Sequence, residues 1–170
     1  MRLLFTMDSG DYDPAGPGFV RDSCRAIVRR AGQICLVYSQ LYNYYKFPGG
    51  GIEPGEAHME TLLREAREEA GLLLEPGSVR PYGYVPRRER SDRPGVSWFS
   101  QTNFYYLCEG TAGAAQQLDD YEDYEGFTPV WIDPRTAIAA NRRPEHGPKS
   151  PTMLEREARV LELLIAEGLL

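Results

Sequence analysis

One segment of the chain, residues 48–71, joins a glycine-rich loop to an acidic helix and limits the folds that the chain can adopt. A proline and three glycines at 48–51 end regular structure and give a backbone that can approach a ligand closely. Residues 56–70 then predict a helix, which Gly71 ends. Between residues 53 and 69 six glutamates accompany two arginines, so this stretch carries −4 of the chain's net charge of −6. Such a cluster repels itself unless a cation or a solvated surface relieves it, and we expect the chemistry of the protein to lie here.

The predicted helix has two different faces. At about 100° per residue, four apolar positions fall within roughly 60° and should pack on a sheet. They are Met59, Leu63, Ala66 and Ala70. Three carboxylates cover roughly 100° of a different face, and they are Glu65, Glu68 and Glu69. These positions predict three carboxylates that converge away from the core. Without a further pattern, such a face is ordinarily a solvated surface held by arginine pairs.

The composition favours one domain over residues 1–170. A hydrophobic fraction of 42% suffices for one core of this length, whereas two domains would be cramped. No apolar run reaches the roughly 18 residues of a membrane span, and the amino terminus lacks a signal's apolar core. We therefore expect no membrane partner, and the acidic balance argues against a nucleic acid duplex. Cys24, Cys35 and Cys108 form no CxxC pair, and we interpret them as reduced thiols of a cytoplasmic protein.

Strands and helices interleave along the chain. Apolar and aromatic runs predict strands, and an Asp-Pro and a Ser-Pro step each predict the start of a helix. The predicted strands are 25–30, 34–38, 82–89, 97–108 and 130–132, and the predicted later helices run from 134 to about 140 and from 151 onward. Because the middle of the chain is antiparallel, the pattern predicts an α/β layered sandwich around a mixed β-sheet.

From Gly50 the chain reads GGIEPGEAHMETLLREAREEAGL, with glutamate after five intervening residues and Arg64-Glu65 after seven more. This sequence resembles the Nudix box, G-x5-E-x7-R-E-U-x-E-E-x-G-U, over residues 50–72. All seven fixed letters are met, and Ala66 is smaller than the usual bulky residue at its U position. The resemblance implies a Nudix-type α/β/α sandwich around a mixed β-sheet, and it implies a hydrolase that acts on a diphosphate linkage.

The resemblance also implies a metal site. Carboxylates at i, i+3 and i+4 present hard oxygens suited to Mg²⁺, with Mn²⁺ as the alternative ion. By resemblance the ligands are Glu65, Glu68 and Glu69, together with the carbonyl oxygen of Gly50. We expect Arg64 to orient these carboxylates as a catalytic partner, and Glu56 to support the same network.

The general base is open from the sequence. By resemblance it is either a box glutamate, and then Glu65, or a carboxylate on a later loop. The later candidates are Glu122 and Glu125 in the acidic loop 119–125, and Glu109 at a strand end. A solvated acidic turn is the competing interpretation of this loop. We favour Glu122 among the later carboxylates.

Predicted substrate contacts lie beside the glycines and at a hairpin tip. Tyr44 and Phe47 are candidates for stacking on a base or ribose, although packing of a half-buried strand accounts for them equally well. We expect Lys46 to neutralise substrate charge and Gly49 to wrap the phosphates. Arg87 belongs to a basic tip that would receive terminal phosphates or a phosphosugar, and its other members are Arg88, Arg90 and Arg93. A merely solvated tip is the alternative.

The sequence therefore predicts metal-dependent hydrolysis of a nucleoside diphosphate derivative, NDP-X, to a nucleoside monophosphate and phosphorylated X. The box does not identify X. A non-catalytic sensor that binds a nucleotide on the same scaffold is the main alternative, and the intact carboxylates argue against it. An isoprenyl diphosphate isomerase would need a cysteine paired with an acid in its pocket, which the apolar surroundings of Cys35 and Cys108 disfavour. A homodimer would form through exposed strand edges or the last helix.

Overall fold

The computed structural model describes all 170 residues, which form eleven strands and four helices. The strands are β1 (Arg2–Leu3), β2 (Met7–Asp8), β3 (Gly18–Val20), β4 (Ser23–Arg30), β5 (Gln33–Ser39), β6 (Tyr44–Lys46), β7 (Leu72–Leu74), β8 (Arg80–Arg90), β9 (Trp98–Cys108), β10 (Gly110–Ala112) and β11 (Phe127–Ile132). The helices are α1 (His58–Ala70), α2 (Asp120–Glu125), α3 (Pro134–Asn141) and α4 (Pro151–Ala166). None of these helices has the length and apolar character that a membrane crossing requires.

Nine strands form one mixed sheet, as the sequence predicts. Its main path runs β1-β8-β9-β4-β5-β11, with β2 and β3 added along β8 and β9 and with β6 paired to β5. β4 lies parallel to β9, whereas the β8–β9, β4–β5 and β5–β11 pairs are antiparallel. β7 and β10 form a separate two-stranded sheet.

Helices cover both faces of the sheet, because the side chains of the central strands point alternately to its two faces and are apolar on both. In β4, Cys24, Ala26 and Val28 point into a cluster that contains Leu62 and Ala66 of α1, whereas Ile27 points into a second cluster. The second cluster contains residues of α3 and α4, among them Ala137, Val160, Leu161 and Leu164. A strand buried on both faces reads as a continuous apolar run. The expected α/β/α layering is therefore confirmed.

The apolar face of α1 differs from the predicted stripe. Met59 is 39% exposed, whereas Leu62, Ala66, Glu69 and Ala70 are buried. On the helical wheel the mean direction of the buried face is rotated by about 45° from the predicted one. Met59 lies in the first turn of a helix that begins at His58 and not at residue 56, and it meets solvent there. The rotation places Glu69 on the buried side.

Candidate active site

The glycine loop lies flat on β4. The carbonyl oxygens of Pro48 and Gly50 accept hydrogen bonds from the backbone N–H groups of Ala26, at 2.8 Å, and Cys24, at 3.1 Å. Gly49 has a φ of 136°, and a Cβ atom built on it would lie 2.1 Å from the carbonyl oxygen of Cys24. Only glycine therefore fits at this position, because the backbone is both left-handed and in direct contact with a strand.

Gly50 brings the loop against the acidic helix. A Cβ atom on Gly50 would lie 2.2 Å from Oε2 of Glu65, so this carboxylate packs against the bare Cα. The loop and helix of the box are thereby in contact at one of the carboxylates that the sequence singles out. Burial raises the pKa of Glu65, and the neighbouring Arg64 guanidinium partly offsets this effect.

Arg64 ties three box glutamates together. Its Nε and Nη2 donate to the two carboxylate oxygens of Glu56, both at 2.8 Å. Its Nη1 donates to Glu65 at 2.7 Å and to Glu68 at 3.2 Å. The hydrogen bonds from Arg64 lower the pKa of Glu56 to about 2. Glu60 takes no part, since its carboxylate accepts the Ala57 N–H instead. The arrangement agrees with a positioning role for Arg64 and a supporting role for Glu56.

Glu69 lies inside the protein, which corrects the prediction of a carboxylate face directed away from the core. Its side chain is 1% exposed, pairs with the ammonium of Lys46 and accepts the Gly49 N–H at 2.9 Å. Burial raises the pKa of Glu69 to about 7, and the charge of Lys46 opposes the shift. Lys46 is itself only 8% exposed. In this arrangement Lys46 neutralises a box carboxylate and does not present its charge to an open surface.

The donor chemistry fits a hard divalent cation, although the cage is not preformed. No three acidic, imidazole or thiol side chains surround a common point at metal distance. The reason is that Glu69 turns toward Lys46, while Arg64 spans Glu65 and Glu68. Hard carboxylate oxygens are nevertheless the ligands that Mg²⁺ and Mn²⁺ prefer. The bare Cα of Gly50 lets the Glu65 carboxylate lie directly against the loop.

The two glutamates of α2 have different surroundings. Glu125 is 3% exposed and accepts from Ser39 at 3.1 Å, from Tyr44 at 2.9 Å and from Lys149. Glu122 accepts the Tyr121 hydroxyl at 2.8 Å and the Asp119 N–H at 3.1 Å. The charge of Glu122 also contributes to the raised pKa of Glu69, which places it electrostatically near the box. Glu125 therefore holds α2 in place, whereas the Glu122 carboxylate accepts hydrogen bonds only from its own segment.

Tyr44 and Phe47 belong to the core. Phe47 is 0% exposed and packs edge-on against Tyr105, with 5.3 Å between ring centroids. Tyr44 is 2% exposed, and its hydroxyl is bound to Glu125. Of the two interpretations of these rings, the positions favour packing over stacking on a ligand. Glu109, the remaining base candidate, is exposed at the start of the connection from β9 to β10, away from the box helix.

A cleft of about 810 Å³ reaches the tip of the β8–β9 hairpin, and its wall includes Arg21, whose guanidinium lies against Gly51. Arg87 lines the cleft, and its side chain is buried, so the alternative interpretation of a merely solvated tip is wrong at this residue. Its guanidinium pairs with Glu89 at 2.9 Å, and burial lowers its pKa to about 10. Sequence reasoning missed the opposite wall, which is formed by residues 148–153 before and within the first turn of α4. No local motif marks that wall.

Comparison with known proteins agrees with this geometry. A family model described as NUDIX domain matches residues 20–155. The chain is 35% identical over 91 residues to 8-oxo-dGDP phosphatase NUDT18 of Mus musculus, an alignment that covers 54% of this chain and 24% of that protein. It is 29% identical over 119 residues to RNA pyrophosphohydrolase of Xanthomonas axonopodis pv. citri, covering 63% and 56%. The chain thus spans about a quarter of the former relative and about half of the latter.

Solved structures share the fold. A NUDIX hydrolase from Nitrosomonas europaea superposes with a TM-score of 0.60 at 16% identity, covering 88% of this chain and 90% of that one. Similarity at this level of identity concerns the fold alone. The family model spans four fifths of the chain and contains the whole box. The chain therefore belongs to the NUDIX domain family.

Proposed function

We propose that the protein hydrolyses a diphosphate linkage in a nucleoside diphosphate derivative, NDP-X, to a nucleoside monophosphate and phosphorylated X, with Mg²⁺ or Mn²⁺ as cofactor. The observation that carries the proposal is the contact between Gly50 and Glu65, with Arg64 bound to the same carboxylate at 2.7 Å. A glycine loop pressed onto an ordered acidic helix suits an anionic phosphate chain that is bound through cations.

Glu65, Glu68 and the Gly50 carbonyl oxygen would hold the cation, and Glu69 would join them on exchanging its contact with Lys46. When bound, such an ion neutralises charge on the diphosphate and lowers the pKa of a bound water. Arg64 keeps Glu65 and Glu68 in place through its fork of hydrogen bonds to the helix carboxylates. Lys46 would then be free to attract the phosphates that pass over Gly49.

Glu122 is the favoured later-loop carboxylate for accepting the proton of the attacking water. Its charge contributes to the raised pKa of Glu69, and its hydrogen bonds with Tyr121 and the Asp119 N–H fix its orientation. Glu65 remains the alternative base, because burial raises its pKa and its carboxylate lies against Gly50 of the glycine loop. Glu125 does not serve this role in the proposal, since three side chains already bind it.

The cleft beside the glycine loop would hold the substrate, with Arg87 in its wall. Its volume of about 810 Å³ lies in the upper part of the range for small-molecule sites. Sugar nucleotides, dinucleoside polyphosphates and damaged nucleoside triphosphates all remain candidate substrates. The three free and buried thiols support a reducing compartment, and we keep the cytoplasm as the expected location.

The alternative function is a sensor that binds a nucleotide without hydrolysing it. Loss of box carboxylates would favour such a role, but all of them are present: Arg64 binds Glu56, Glu65 and Glu68, and Lys46 pairs with Glu69. The intact network therefore favours the enzyme.

The test is product release from a panel of nucleoside diphosphate derivatives with Mg²⁺, with Mn²⁺ and with EDTA. Glu65→Gln and Glu122→Gln are the active-site variants. Glu60→Gln is the matched control, because Glu60 lies on the same helix and its amide can still accept the Ala57 N–H. We expect metal-dependent turnover of at least one panel member, unchanged in the control and reduced about 100-fold or more in Glu65→Gln.

A second measurement separates the two candidate functions. Metal-dependent nucleotide binding by calorimetry, with no product released from any panel member, would reject the hydrolase and favour the sensor. Turnover that survives in EDTA or in Glu65→Gln would reject the proposed role of the box.

A further inference from the structure

The cleft lies next to the glycine loop but does not include it, since none of residues 48–72 forms its wall. At the near end, Arg21 lines it and pairs with Glu53 at 2.7 Å, and a Cβ on Gly51 would lie 2.2 Å from the Arg21 guanidinium. Tyr121, the hydrogen-bond donor to Glu122, lines the same end. At the far end the wall is the β8–β9 turn, residues 90–93. The cleft wall therefore extends from Arg21, which lies against the glycine loop, to the hairpin tip.

Most charges along the cleft are already neutralised within the protein. Of five cationic side chains in the wall, three have carboxylate partners: Arg21 with Glu53, Arg87 with Glu89, and Lys149 with Glu125. The other two are Arg90 and Arg93, which have no ion-pair partner. The wall also contains Asp11, whose carboxylate accepts the backbone N–H of Arg90 at 3.3 Å, and Asp92. The unpaired cations thus lie together at the far end.

The amino-terminal end of α4 does not compete for an external anion. Glu89 already fills that position, since it accepts the Ser150 hydroxyl at 2.5 Å and the Thr152 hydroxyl. Arg87 completes this internal group. The Glu89 carboxylate therefore occupies the middle of the cleft, whereas Arg90 and Arg93 are exposed at the tip together with Asp11 and Asp92.

A stacked column holds one of these arginines in a fixed orientation. The guanidinium of Arg93 lies 3.8 Å from the ring centroid of Phe19, which is stacked on Phe99 at 5.8 Å and 21°. Arg87 lies 5.5 Å from the other side of this column, on Phe99. A guanidinium that stacks through its face keeps its N–H edge free for a planar or tetrahedral anion. The stacked Arg93 guanidinium therefore offers N–H hydrogen-bond donors in addition to its positive charge.

Buried positive charge lies behind the column. Arg25, Arg87 and Arg156 are each at least nine-tenths buried, and the Nε of each has no hydrogen-bond partner. The nearby charge of Arg156 contributes to the lowered pKa of Arg87, so these groups act on one another. Carboxylates pair with two of the three, Arg87 with Glu89 and Arg156 with Glu157, so the row leaves one positive charge without an ion-pair partner, that of Arg25.

We infer that the far end of the cleft, built on Arg90 and Arg93, binds a second phosphate group of the substrate, remote from the diphosphate that is cleaved. The inference rests on the proposed function. It restricts the candidate substrates to those that carry an additional phosphate, either on X or on the nucleoside. The observations that carry it are two arginines without ion-pair partners in the wall of a cleft whose Arg21 lies against the glycine loop, and the stacked column on which Arg93 lies.

The test is binding, measured by calorimetry in EDTA so that no turnover is needed. The probes are two matched pairs that differ by one phosphate: coenzyme A with dephospho-coenzyme A, and NADP⁺ with NAD⁺. We expect the phosphorylated member of at least one pair to bind about tenfold more tightly or better, because arginine–phosphate hydrogen bonds are charge-assisted. In Arg90→Gln/Arg93→Gln the advantage should fall below about twofold.

The matched control is Arg135→Gln/Arg143→Gln, which removes the same charge from two exposed arginines of α3 and the residues after it. It should retain the full advantage. Equal affinities within both pairs would overturn the inference, as would an advantage that survives in Arg90→Gln/Arg93→Gln or is lost equally in the control. Because these measurements need no hydrolysis, a failure of the proposed activity would appear separately, as a lack of products in the Mg²⁺ and Mn²⁺ assays.

Discussion

Replacing Gly50 by alanine should abolish activity while leaving the fold nearly intact. The added Cβ would lie 2.2 Å from Glu65 Oε2 and 2.5 Å from Oε1. The closest contact that real Cβ atoms accept is 3.0 Å, so the carboxylate must retreat by about 0.8 Å, several times the roughly 0.2 Å tolerance of a metal–ligand distance. Glu65 ends a flexible side chain, and its retreat costs little folding energy.

The neighbouring glycines provide the comparison. In Gly49→Ala the new Cβ meets the backbone carbonyl of Cys24 at 2.1 Å, at a φ of 136°, so the strand or the loop must move. We expect a loss of about 2–4 kcal/mol in the free energy of unfolding. In Gly55→Ala nothing lies within 4 Å of the new atom, and only the left-handed backbone costs about 1 kcal/mol.

The assays are urea unfolding, Mn²⁺ titration and hydrolysis for all three variants. Gly50→Ala should lose less than about 1.5 kcal/mol of stability, and both its metal affinity and its turnover should fall about 10- to 100-fold or more. Gly55→Ala should retain both. The reasoning is refuted if Gly50→Ala stays within threefold of wild-type turnover, or if it unfolds as readily as Gly49→Ala.

Three further changes test other parts of the structure. Tyr44→Phe should cost about 1–2 kcal/mol of unfolding free energy by leaving a buried carboxylate short of a donor, and a raised KM with unchanged stability would instead support the stacking role. Arg156→Met should cost about 3–5 kcal/mol, because it leaves Glu157 charged and buried; a neutral effect in thermal unfolding would contradict this. The pKa of Glu56 is lowered to about 2 in the folded chain from 4.5, so its stabilisation is complete above pH 4.5 and disappears as the pH falls to 2. The difference in unfolding free energy between wild type and Glu56→Gln should therefore decrease as the pH falls from 4.5 to 2. A full difference that persists at pH 2 would contradict this prediction.

The box and its helix could be predicted from the sequence because their signals are local. Spacing places the glutamates and Gly71, and the left-handed Gly71 ends α1 as expected. The buried side of the helix could not be predicted as well. Hydrophobicity alone favours Met59, whereas the protein buries Glu69, because Lys46 from β6 supplies a counter-charge from 23 residues away.

The cleft could not be predicted from the sequence either, because it also depends on contacts between segments that are distant along the chain. Its walls come from residues 9–21, 87–101 and 148–153, and only the fold brings these segments together. The aromatic residues before the glycines show the converse, because closeness in sequence to the box does not imply contact with a ligand. Tyr44 and Phe47 lie close to the box in sequence, yet the direction of each ring depends on which layer of the sandwich it faces. The homodimer stays a prediction.

The first strands also have a consequence for how the protein can vary and how it should be handled. β1 and β2 pair with the outer side of β8, and β3 pairs with the part of β9 that β4 does not reach. These segments shield backbone groups that would otherwise recruit a strand from another molecule. They also supply Phe19 to the cleft while leaving the box untouched. Trimming the chain to residue 20, the start of the family match, would keep every box residue but would expose these strand edges and remove Phe19 from the cleft. Substitutions in residues 1–19 would therefore change the cleft wall and leave the box residues in place.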